Sequence, residues 1–206
     1  MADEIKNHPY ARLIWNRLMV TIQNEKGVAG LMGNLQAESG LYPDRVQGDI
    51  PYSEYSKSYT ANVDNGTITE NDFVNNGPNG GGYGLAQWTY YTRKQALYNM
   101  YKNGNYSSIG SVELACDFLL KELQETYSGV YSTLKNAKSV REASDKVLHD
   151  FENPADQSLS VEALREAMGM VILDTFSGST PSTPTKPNSK KKMSKLLLYL
   201  LATDEI

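Results

Sequence analysis

The chain has 206 residues, of which 40% are hydrophobic and 21% charged. That balance excludes a disordered or membrane-embedded class and predicts one domain of ordinary size plus an appendage. A formal net charge of −4 argues against a nucleic-acid partner, and one cysteine with two histidines leaves no internal disulfide and no common Cys/His zinc site.

The opening residues, Met1-Ala-Asp-Glu-Ile-Lys6, lack a charged region followed by an apolar stretch, so no secretory signal is expected. A first helix is predicted from about Pro9 to Gln23, where Leu13, Ile14, Leu18 and Ile22 recur at helical spacing. A break is expected at Glu25-Lys26-Gly27. A second helix then runs from about Val28 to Ser39, with Val28, Leu31, Met32 and Leu35 as its apolar stripe. Gly40 stands where a left-handed terminator belongs, and Pro43 discourages continuation.

Residues 42–83 change character. They are rich in Asp, Asn, Gly, Tyr and Thr, including Asp64-Asn65-Gly66 and Gly80-Gly81-Gly82, and predict a polar lobe with short helical or strand pieces. A connection of that length is uncommon unless it has a function. Helices resume at about Thr92–Lys102, Ser111–Tyr127, Val130–Lys135, Ser139–Phe151 and Val161–Phe176, the fourth opened by a capping box, Ser139-Val-Arg-Glu142. Cys116 and His149 both fall in helical patterns, and no local motif supports a cysteine-peptidase dyad between them.

Residues 177–192 read as an extended Ser/Thr/Pro/Lys-rich linker. Residues 193–206 carry a short apolar run, Leu196–Leu201, far below the roughly 20 residues a bilayer span requires. Charge is divided unevenly. Residues 1–177 hold 15 of the 20 Lys and Arg but 22 of the 24 Asp and Glu. The lysines beyond them suit either an anionic wall or membrane surface or plain solvation. The 14 tyrosines suit a wet, sugar-binding groove, although half-buried loop positions explain them equally well.

The segment carrying chemistry is Gly33-Asn-Leu-Gln-Ala-Glu-Ser-Gly40. Glu38 follows Leu35 by three residues, so it sits on or near the apolar face and must be buried, paired or functional. It also lies in the last helical turn, where the dipole disfavours an anion. Burial and dipole together would push its pKa upward, as protonating a glycosidic oxygen near neutral pH requires. A salt-bridged helix-end acid satisfies the same pattern.

Three blocks add to this: Gly33–Gly40, Gly82-Tyr-Gly-Leu-Ala-Gln-Trp-Thr89 and Phe151-Glu-Asn-Pro-Ala-Asp-Gln-Ser158. In this order they resemble the phage tail lysozyme family, peptidoglycan hydrolases of tail tips and endolysins, over about residues 8–176. Gly84–Gln87 is also similar to the Gly-Leu-Met-Gln motif of lytic transglycosylases, whose Gln lies in the saccharide groove. The resemblance implies a lysozyme-like fold of the α+β class, mainly helical, with a small polar lobe and a flexible C-terminal tail. Residues 1–176 would form the catalytic domain. Glu38 would be the general acid, with Gln87, Tyr83, Trp88 and Glu152 binding or orienting substrate, although Trp88 suits a core anchor better on size.

Asp44 and Asp49 are the nearest candidates for a second carboxylate, with Asp64 and Asp72 further off. The implied partner is bacterial peptidoglycan, whose N-acetylmuramic acid–N-acetylglucosamine β-1,4 bond would be cut without metal or organic cofactor. Phage tail proteins or an additional lysin module are further expected neighbours. The virion tail, or the host cytoplasm before release, is the expected location. Three readings stay open: hydrolysis, which is favoured, lytic transglycosylation to 1,6-anhydro products, and a non-catalytic wall-binding or tail module.

Overall fold

A computed structural model describes residues 2–77 and 81–178. Nine α-helices are described: α1 (Ala2–Asn7), α2 (Ala11–Ile22), α3 (Glu25–Ser39), α4 (Glu54–Asp64), α5 (Tyr91–Asn103), α6 (Val112–Glu125), α7 (Ser128–Asn136), α8 (Val140–Val147) and α9 (Leu159–Phe176). Two π-helical turns, Asp72–Asn76 and Leu148–Glu152, complete the helical set. The chain is mainly helical, and its β structure among the described residues is two isolated antiparallel bridges, Val46 with Tyr83 and Tyr83 with Trp88. The 177–192 linker, except for Ser177 and Gly178, and the whole 193–206 tail lie outside the described residues, as does Gly80.

The centre of the fold is α3. The expected break at Glu25-Lys26-Gly27 is its first turn, because Asn24 caps the helix by accepting from the backbone N–H groups of Lys26 and Gly27 at 3.0 and 3.2 Å. Nor is α3 one-sided. Gly27 through Leu35 are all buried, since the face away from the apolar stripe carries Gly27, Gly30 and Gly33 and lets other backbones approach.

A Cβ at Gly27 would fall 1.9 Å from the Leu134 carbonyl oxygen of α7. At Gly30 it would meet Ser144 N of α8 at 2.7 Å, and at Gly33 the Arg165 carbonyl oxygen of α9 at 2.4 Å. Gly169 answers from α9, where a Cβ would sit 2.8 Å from the Ala29 carbonyl oxygen. Gly40 ends α3 in the left-handed conformation, φ 64°, its N–H bonded to Gln36 O.

Other boundaries moved for physical reasons. Ala2–Asn7 forms a helix that the composition does not announce, anchored by Ile5. The helix expected over Ser139–Phe151 changes pitch at Leu148, where a π-helical turn closes with Asn153 N–H bonding Leu148 O at 2.8 Å. Ser139 does cap α8 by accepting from Glu142 N–H, but the Glu142 carboxylate reaches back to Lys138 N–H, one residue beyond the standard box.

The polar lobe is organised by α4 and by the Tyr83–Trp88 hairpin. That hairpin is tied to the preceding loop where Gly84 N–H bonds Arg45 O at 2.8 Å and Gln47 N–H bonds Gly82 O at 2.9 Å.

Replacing Gly33 or Gly30 by Ala should cost about 1–3 kcal/mol in chemical denaturation, because the obstructing atoms include backbone. Gly129 of α7 has open space around it, so Gly129→Ala should instead stabilise by about 0.5 kcal/mol. Equal effects at Gly33 and Gly129 would refute the close-packing account.

Candidate active site

Three clefts adjoin through shared lining residues. The middle one, about 310 Å³, is lined by Glu38 from the end of α3, Arg45 and Ile50 from the lobe, Gln87 from the hairpin, Arg93 from α5 and Glu152 from the π-helical turn. A cleft of about 410 Å³ shares Tyr90 and Arg93 with it and continues between α5 and α6. Another of about 560 Å³ shares Arg45 and Ile50 and extends toward His8, Tyr42 and Tyr52, where the two tyrosine rings stack at 3.8 Å.

Glu38 is half-buried, with 22% of its side chain exposed. The Arg165 guanidinium donates from Nη2 to Glu38 Oε1 at 2.6 Å and from Nη1 to Asn34 Oδ1 at 3.1 Å. Asn34 is in turn fixed by donating to Gly30 O, Ser144 O and Ser144 Oγ. One oxygen of Glu38 is therefore set by a buried network running through α3, α8 and α9. Arg165 is absent from the sequence-based candidates, yet it left a signal. Arg165, Gly169, Ile172 and Phe176 share the buried face of α9, so a cation stands on an apolar stripe.

The dry environment expected for Glu38 is found at Glu152 instead. Glu152 Oε1 is shielded from solvent and has no hydrogen-bond partner. Burial pushes its pKa from an ordinary 4.5 to about 8, the nearby Glu38 charge adds to the rise, and Arg93 and Arg165 pull against it. The π-helical turn places this side chain in the cleft, and wider turns of this kind recur at functional sites.

Arg93 is held beside it by a two-pronged pair with Glu122, at 2.6 and 2.8 Å, and by lying 5.0 Å over the Phe151 ring. Glu122 Oε2 also accepts from Trp88 Nε1 at 2.7 Å.

Several sequence-derived candidates are not brought to the cleft. Asp49 accepts from the N–H and hydroxyl groups of both Ser53 and Ser56 at the start of α4; although burial raises its pKa, those bonds prevail and hold it at about 2. Asp44 is bound by the Tyr52 hydroxyl, and its burial raises its pKa. Asp64 caps the Ser108–Ile109 turn, and Asp72 bonds the Thr69 hydroxyl. None of the four lines the middle cleft.

Tyr83 is fully buried in the lobe with its hydroxyl 2.7 Å from Thr60 Oγ1, and Trp88 is a core anchor packed edge-on to Phe118 at 5.1 Å. Gln87 does reach the cleft. Its amide nitrogen is spent on Arg45 O and Gly84 O, which leaves the amide oxygen as the group it offers.

Cys116 is buried in α6, its thiol pushed by desolvation to about 12, while His149 pairs with Gln157 and Glu162. The two form no dyad. Among the described residues, no group of three or more His, Cys, Asp or Glu side chains is placed to hold a metal ion. No described helix is long and apolar enough to cross a membrane.

Compared with models of known protein families, residues 9–176 match phage tail lysozyme. That span contains Glu38, Gln87 and Glu152. No curated protein and no solved structure matches the chain.

Glu152 makes stability depend on pH. Its pKa is higher in the folded state, so the folded chain holds a proton that the unfolded chain releases. Its contribution to stability should therefore fall as pH rises from about 4.5 to about 8 and level off above, by roughly 1.4 kcal/mol per unit of difference between the two states. Denaturation across that range should show the decline in the wild type and a flatter dependence in Glu152→Gln. Parallel curves would contradict the burial described.

Proposed function

The chain belongs to the phage tail lysozyme family, and on that premise we propose that it is a glycosidase cutting the β-1,4 bond between N-acetylmuramic acid and N-acetylglucosamine in peptidoglycan. The observation that carries this reading is the meeting of Glu38, Gln87 and Glu152 in one cleft between the helical body and the polar lobe.

In this reading Glu38 is the general acid. Its carboxyl opens on the cleft while Arg165 fixes one oxygen, so the proton it delivers has a defined direction. The Gln87 amide oxygen accepts from a sugar hydroxyl or N-acetyl N–H. Arg93 and Arg45 line the same cleft and favour oxygen-rich, electron-dense ligands. Glycoside hydrolysis draws on two carboxyl groups, and Glu152, unlike Asp44 or Asp49, lines the same cleft as Glu38, which supports a carboxyl pair there.

Hydrolysis is accordingly favoured over transglycosylation, which completes the reaction with the sugar's own C6 hydroxyl. The catalytic unit is residues 1–176, acting in wall penetration by the phage tail or in host lysis.

Digestion of purified peptidoglycan with wild type and Glu38→Gln, followed by mass spectrometry, tests the proposal. Wild type should release fragments with reducing muramic ends, and Glu38→Gln should be slower by about 10²–10⁴-fold. Fragments with 1,6-anhydro ends would replace hydrolysis by transglycosylation. Undiminished release by Glu38→Gln would remove Glu38 from the chemistry, and no release by wild type would favour a wall-binding or tail module.

A further inference from the structure

The two carboxyl groups of the middle cleft differ in what holds them. Glu38 is bound by Arg165, whereas Glu152 lines the cleft with Oε1 sequestered and unpartnered. The charged groups whose fields act on Glu152 come from four helices: Glu38 of α3, Arg93 of α5, Glu122 of α6 and Arg165 of α9, and Glu38 and Arg93 line the cleft with it. Each of those guanidiniums is already committed to another carboxylate, Arg93 to Glu122 and Arg165 to Glu38. A second anion in that setting would be desolvated and beside a like charge. A neutral carboxylic acid suffers neither penalty.

We propose that Glu152 is the proton store of the site, a neutral carboxylic acid lining the cleft that passes its proton to Glu38 for delivery to the leaving glycosidic oxygen. The proposal deepens the glycosidase reading and rests on it. The Glu152 O–H bond breaks as a Glu38 O–H bond forms, directly or across one water. Glu38 then protonates the bridging oxygen while the bond from that oxygen to the anomeric carbon breaks.

A water molecule gives its hydroxide to the anomeric carbon and its remaining proton to the carboxyl pair. One water is consumed, one glycosidic bond is cut, and the pair ends with the single proton it began with. Glu152 acts through Glu38, so it is a positioning residue for the proton.

The first test needs no substrate. Carboxyl carbons of ¹³C-labelled glutamate in the full chain are followed by NMR as pH is raised. One carboxyl should titrate near 8 in wild type and at lower pH in Glu38→Gln, because the like charge beside it is gone. A spectrum in which every glutamate titrates in the ordinary carboxylate range overturns the proposal, and this test holds even where Glu152→Gln does not fold.

The second test measures kcat and KM on peptidoglycan from pH 5 to 9. Glu152→Gln imitates the neutral acid in size and hydrogen bonding but has no proton to lend. Its kcat should fall by about 100-fold with KM unchanged and the alkaline limb of the profile altered. Wild-type kcat with a wild-type profile in Glu152→Gln reduces Glu152 to a structural role and overturns the proposal. Failure of the wild type to cut peptidoglycan overturns the glycosidase reading and the delivery step with it, whereas the NMR titration still reports where Glu152 holds its proton.

Discussion

The backbone-to-backbone approach along one face of α3 is the constraint on which the remaining structure depends. Gly27, Gly30 and Gly33 recur every third residue, and no side chain fits where they stand. Helices α7, α8 and α9 are therefore seated against α3 at a distance set by backbone atoms and not by adaptable side chains, which is a stiff arrangement. Gly33 meets the carbonyl of Arg165, the residue whose guanidinium holds Glu38 from the other helix. The packing of α9 on α3 and the aim of the candidate acid are thus one geometric condition.

That condition explains a division of labour between two glutamates. Arg165 reaches Glu38 from a nearly dry position, braced by Asn34 and through it by Ser144. Glu152, delivered by a turn of wider pitch, finds both nearby cations already engaged. Two groups of the same chemical type thus sit in different surroundings, one paired with a guanidinium and the other desolvated beside a like charge, and such differences are the general way a protein runs acid and base chemistry at one pH. Trp88, Glu122 and Arg93 sustain the arrangement from the far side, joining the hairpin to α5 and α6.

Much of this was legible in the residues. The helical periodicities, the left-handed stop at Gly40, the serine cap of α8 and the polar lobe all follow from local patterning that tertiary contacts did not override. Glu38, Gln87 and Glu152 were identifiable from three short blocks and do meet in one cleft. What was hidden is non-local. Gly27 reads as a helix breaker until the carbonyl of Leu134 is placed against it. Asp44 and Asp49 lie close to Glu38 in sequence, yet hydrogen bonding to Tyr52, Ser53 and Ser56 turns them to structural work. Tyr83 neighbours Gln87 but faces inward, because pairing with both Val46 and Trp88 commits it to the lobe interior.

The middle cleft shares Tyr90 and Arg93 with the cleft on one side of it and Arg45 and Ile50 with the cleft on the other. A blind pocket would recognise a polymer by its terminus. A polymer held across neighbouring clefts would be engaged along its length, so under the proposed chemistry scission would be internal. In a covalent mesh each internal cut relieves tension over many linkages, and a local hole needs few turnovers.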